Sequence, residues 1–230
     1  MDTNELIEIL ARDATPVRRL PVPWLRTAIW LAISGLYVAL LIVLMSPNVD
    51  RLAGIRAPRF WLEQVAALTT GIAAAAAALM SVVPGRTRRP WLLPAAPLAL
   101  WIGTLAWGCV QDWAARGTAG LVVSSDWPCI VAIAAGALLP GAAMALMLRR
   151  GAPLTPRATA AFAGLAVGGL SSVTACLSRP TPHPTTVTVL VWHVGMLVVL
   201  AAAAAWAGRH LLVWRLPPHV AAAVGTSSWR

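Results

Sequence analysis

Lysine is absent from this chain of 230 residues: all 18 basic residues are arginine, set against eight acidic ones. Charged residues make up only 11% of the chain and hydrophobic residues 59%, with a mean hydropathy of +0.74. Such a scarcity of charge excludes an ordinary soluble domain and predicts an integral membrane protein. A net charge of +10 would suggest nucleic acid as a partner in a soluble protein. Here the arginines fall in short clusters between apolar stretches, and the strongest, Arg86, Arg88 and Arg89, lies in a loop too short for a nucleic-acid-binding module. Direct contact with nucleic acid is therefore not expected.

Catalytic patterns are missing as well. The chain has no nucleophile elbow, no phosphate-binding glycine loop, no H-E-x-x-H and no paired carboxylates. Enzymatic activity and a cofactor are not expected. Ionisable groups at membrane depth are also scarce, which argues against a pump or transporter, because moving charge through hydrocarbon requires partners for it. His193 is the exception, and a hydrogen bond to a neighbouring helix accounts for it without a transport role.

What is present is a set of six apolar runs, at 27–45, 65–83, 91–110, 129–148, 158–177 and 188–206. A bilayer core needs about 20 apolar residues per helix. The pattern predicts an all-α polytopic bundle of six transmembrane helices over 27–206, with a leader at 1–26 and a tail at 207–230. The first run is not a cleavable signal peptide, since it starts late, is long and follows an acidic leader.

Arginine placement predicts the orientation. Four arginines precede the first run, three lie between the second and third, three between the fourth and fifth, and three in the tail. The opposite side has five: Arg51, Arg56, Arg59, Arg116 and Arg179. The positive-inside rule puts both termini in the cytoplasm. Tryptophans at both boundaries fit interfacial belts. Within the fifth run, Gly164-x-x-x-Gly168 has the spacing that lets two helix backbones approach closely, inside the bundle or at a dimer face.

Cysteine is rare, with three in the chain. In the predicted orientation Cys109, Cys129 and Cys176 all fall at the external face, where disulfides form and soft metals arrive first. They are not equivalent. In "SSDWPCIVA" Asp126 and Pro128 read as the cap and first turn of a helix, so Cys129 sits where the helix dipole favours a thiolate, whereas Cys109 and Cys176 fall in last turns. Cys129 is thus the expected nucleophile or first metal ligand, in a set that could include Cys176 and Cys109.

The leader "MDTNELIEILARDATPVRRLPVPW" differs from the rest. Asp2 and Glu5 read as a capping box, and Leu6, Ile7 and Leu10 share one helical face. Such a helix could lie on the bilayer, but its acidic residues suit a cytoplasmic protein partner better.

The chain as a whole resembles the six-helix anti-sigma factors called negative regulators of sigma F. The matching segments are this leader, "PGRTRRPWLLPAAPLALW", "WGCVQDW", "SSDWPCI", "LRRGAPLTPR" and "LVWHVG". The resemblance implies a bacterial inner-membrane protein that holds an extracytoplasmic-function sigma factor, and the leader's Leu6, Ile7 and Leu10 are the expected contacts, because the leader is the only predicted cytoplasmic stretch outside the tail long enough to present an apolar face. It further implies release under metal or oxidant stress, with the family's paired external cysteines matched by Cys129 and Cys176. A small-solute or metal permease is the alternative, and a membrane scaffold a third reading.

Overall fold

The computed structural model describes residues 2–12, 21–45, 58–83, 89–151, 153–178 and 185–212. Among these it is helical with no strand. A short helix, α1 (Thr3–Arg12), precedes six long ones: α2 (Pro23–Met45), α3 (Pro58–Ser81), α4 (Ala95–Arg116), α5 (Trp127–Arg149), α6 (Pro156–Ser178) and α7 (Thr186–Leu211). Each of the six is long and apolar enough to cross a membrane. Proline marks where the apolar chain starts anew. It opens α2, α3 and α6 and is the second residue of α5, positions whose amide has no intrahelical partner to lose.

Boundaries depart from the apolar runs in informative ways. Helix α2 begins at Pro23, so Arg26 lies in its first turn and is 5% exposed rather than lying in the leader. Helix α4 continues past its apolar run to Arg116, so Cys109 is not in its last turn. The run ends where Gln111 and Asp112 begin, but a helix can continue with polar side chains once neighbours satisfy them. Asp112 does this by pairing with Arg116 at 2.8 Å and accepting the Thr186 amide at 2.6 Å. Several arginines used for orientation (Arg51, Arg56, Arg86, Arg88, Arg179, Arg215, Arg230) lie outside the described residues.

Helix α6 is the centre of the bundle. It packs on α3, α5 and α7, and both it and α3 bury most of their length. Lipid tails are as apolar as leucine, so helix association in a bilayer rests on close packing and interhelical hydrogen bonds rather than on hydrophobic burial. The sequence supplies the small residues this needs. Ala74, Ala75, Ala77 and Ala78 of α3 are fully buried, and a Cβ at Gly169 of α6 would fall 2.9 Å from the Ala67 carbonyl oxygen. The Gly164-x-x-x-Gly168 pair turns inward: a Cβ at Gly164 would lie 2.5 Å from the Leu200 carbonyl oxygen of α7, and one at Gly168 2.6 Å from Leu197. Hydroxyls add links, as between Ser81 of α3 and Thr159 of α6 at 2.7 Å.

Candidate functional site

Helix α5 starts as its sequence predicts. Asp126 Oδ1 accepts the Cys129 amide at 3.3 Å, and Pro128 sits in the opening turn. Cys129 is therefore fixed at a helix N-terminus, and it is 4% exposed. Helix α6 runs the opposite way and brings Cys176, 9% exposed, to the same end two residues before its own terminus at Ser178.

The third side chain comes from α7. Thr185 caps this helix by accepting the Thr188 amide at 3.3 Å, and the turn Leu190–Val194 is π-helical. A π turn inserts an extra residue and re-aims the side chains it contains, and it is often found at functional sites. His193 lies in it and is 1% exposed. Its Nε2 is 3.1 Å from Cys129 Sγ and 3.9 Å from Cys176 Sγ. The expected hydrogen bond of this histidine to a neighbouring helix thus exists, and the partner is the thiol singled out by its first-turn position. Which ring nitrogen carries the proton sets the direction of that bond.

The loop before α5 is fastened to α7 around this cluster. Trp192 Nε1 donates to the Ser124 carbonyl at 3.0 Å, the Ser124 amide donates to Thr188 Oγ1 at 3.1 Å, and Thr185 Oγ1 donates to the Val122 carbonyl at 2.9 Å. The starts of α5 and α7 are consequently held as one unit. On the other flank Gln64 of α3 faces the same small cavity as Cys176. This cavity of ≈ 10 Å³, about the size for one water, adjoins Cys176 and His193 and is lined also by Glu63, Gln64 and Ser172. Gln64 Oε1 and Ser172 Oγ are buried without a hydrogen-bond partner among the described residues.

Cys109 stands apart from this cluster. It is partly exposed on α4 and lines neither the thiol–imidazole contact nor the adjoining cavity. None of the three cysteines is in a disulfide. Among the described residues no three His, Cys, Asp or Glu side chains are arranged to hold a metal ion. Two thiols and an imidazole are nevertheless the donor types that soft and borderline metals select, and the same two thiols are the reactants for a disulfide.

Helix α1 forms as its pattern predicts. Ile7 is 59% exposed. Leu6 and Leu10 belong to the same helix, while their side chains lie outside the described residues.

Six long apolar helices around a glycine-lined centre, with a buried thiol site at one end, define a polytopic helical membrane protein. The chain belongs to the family described as negative regulator of sigma F, which it matches over residues 10–214. That description gives the protein the role of a sigma-factor regulator and a sigma factor as its partner. Neither a curated protein nor a solved structure matches the chain.

Proposed function

We propose that this protein is a bacterial inner-membrane anti-sigma factor. It holds an extracytoplasmic-function sigma factor in the cytoplasm and releases it when Cys129 and Cys176, facing the periplasm, bind a metal ion or are oxidised. The carrying observation is the meeting of these two thiols, from different helices, around His193. A metal ion would displace the thiol protons. A two-electron oxidant such as a peroxide would take two electrons and two protons as the sulfurs join. Either event ties α5 to α6 at one end of the bundle.

Both termini are cytoplasmic in this reading, supported by the arginine distribution. The leader, with Leu6, Ile7 and Leu10, is the sigma-binding surface. It is helical, its Ile7 is exposed, and it would give up some affinity to ordering on binding. Catalysis and a resident cofactor have no part in this function. The permease alternative is not favoured by the cleft of ≈ 340 Å³ between α5, α6 and α7, because apart from Arg149 its lining is apolar.

The test is co-purification of a sigma factor with the full-length protein from membranes, before and after exposure to cadmium or hydrogen peroxide. Retention before and loss after is the expected result. A protein that never retains a sigma factor would overturn the reading.

A further inference from the structure

Helix α5 has Cys129 in its first turn and Met147 near its last, about 27 Å apart at the usual helical rise. Between them Pro140 interrupts the backbone ladder. A proline inside a helix removes one backbone hydrogen bond and crowds the carbonyl four residues earlier, here that of Gly136. Sharp bends in helices concentrate at such residues. The helix that bears the thiol at the centre of the site is thus weakest in mid-span.

Helix α2 grips α5 on both sides of this point. Tyr37 donates its hydroxyl to the Ala135 carbonyl at 2.9 Å, on the Cys129 side of the proline. Trp30 donates its indole N–H to the carbonyl of Pro140 itself at 3.0 Å. Arg26 donates to the Met147 carbonyl at 2.6 Å, on the far side. Trp30 is fully buried and Arg26 nearly so. All three acceptors are backbone atoms, so the seam follows the path of α5 rather than the identity of its side chains. Arg26 also lies in the first turn of α2, immediately after the leader.

We propose that α5 transmits the state of the thiol site across the membrane by bending at Pro140, and that the Tyr37–Trp30–Arg26 seam converts this bend into movement of the end of α2 from which the leader extends. The proposal rests on the reading that thiol chemistry releases the sigma factor. On the Cys129 side, Gly136 is already in close packing with α6: a Cβ there would lie 3.1 Å from Ser171 Cβ and 3.2 Å from Thr174 Cβ. Drawing Cys129 toward Cys176 therefore cannot slide this half of α5 sideways, and the proline is where the displacement is absorbed. A ligand shifts such an equilibrium only by binding one packing better than the other, and the two halves of α5 supply two packings.

The test uses the full-length protein in its native membrane with a sigma-dependent reporter, comparing wild type with Tyr37→Phe, Arg26→Met and Pro140→Ala. Modification of Cys129 and Cys176 under stress, read by alkylation and mass shift, should match wild type in all three. The ratio of stressed to unstressed reporter output should fall about 5-fold or more, the lower edge of ordinary coupling between distant sites. Wild-type ratios in all three variants at wild-type protein levels would overturn the proposal. Where Arg26→Met or Pro140→Ala fails to accumulate, Tyr37→Phe decides alone, since it removes one oxygen and leaves the ring. A response that persists in Cys129→Ser would instead overturn the sensing reading, and this inference with it.

Discussion

Cys129 of α5 and His193 of α7, 64 residues apart in the chain, approach to 3.1 Å between Sγ and Nε2. The contact adds to the loop bonds that hold the starts of these two helices together; farther along, the cleft of ≈ 340 Å³ separates α5 from α7 over the surface of α6. The imidazole is therefore both the partner of the proposed sensing thiol and one of the ties between the starts of α5 and α7.

Replacing His193 by Gln, which keeps a polar group of similar reach, should leave the bundle assembled and blunt the response. The concentration of cadmium needed for half-maximal reporter output should rise about 10–100-fold, the usual cost of removing a group that hydrogen-bonds a metal-binding side chain. Dose–response curves of a sigma-dependent reporter measure it. An unshifted curve would reduce His193 to a packing residue.

Much of this is legible in the sequence. Six apolar runs gave six helices, because in a bilayer backbone groups must be satisfied within the segment. Asp126 and Pro128 revealed the start of α5, since cap and first-turn chemistry is local. The joining of His193 to Cys129 was not legible. It depends on a π turn at Leu190–Val194 and on the loop bonds from Ser124 and Thr185, which are tertiary contacts that leave no periodic trace. Arg26 reads as an interfacial arginine in the sequence, yet it is buried against the Met147 carbonyl, because its long side chain reaches the free carbonyls at the end of a neighbouring helix.

Gly164 should tolerate no larger residue. A Cβ there would lie 2.5 Å from the Leu200 carbonyl and 2.7 Å from Ala201 Cα, backbone atoms that can move only if α6 and α7 separate. Gly164→Val is expected to cost about 1–3 kcal/mol, the range for overpacking a close-packed site. Gly103 on α4 has nothing within 4 Å of its built Cβ, so Gly103→Ala should be nearly neutral. Thermal unfolding of both variants in the same detergent makes the comparison.

The orientation is tested by fusions after residue 212, at the end of the described part of α7. A cytoplasm-active reporter there should be active and a periplasm-active one silent. The reverse would move the thiol site to the cytoplasm, where reducing conditions keep cysteines free.

Leu6→Asp with Leu10→Asp should free the sigma factor without disturbing the bundle. The substitutions put two charges on the apolar face of α1, a helix that precedes α2 in the chain. The protein should fractionate with membranes as wild type does, while a pull-down recovers no sigma factor. Wild-type recovery would remove the leader from the mechanism.

The three cysteines should separate cleanly when each is changed to serine. Cys129 combines a helix N-terminus, the closer contact to His193 and the Asp126 cap on its own amide, so Cys129→Ser should abolish the stress response. Cys176 lies farther from the imidazole, at 3.9 Å, but supplies the second sulfur from α6, and without it neither a disulfide nor a two-thiol metal site can form. Cys176→Ser should therefore also silence the response. Cys109 is partly exposed and outside the cluster, so Cys109→Ser should respond as wild type does. Sigma-dependent transcription under cadmium and under peroxide, measured in the three strains side by side, provides the comparison. Loss in Cys109→Ser equal to that in Cys129→Ser would mean that the working pair is not the one the fold brings together. A normal response in all three would make the thiols packing residues and leave the anti-sigma role standing without its sensor.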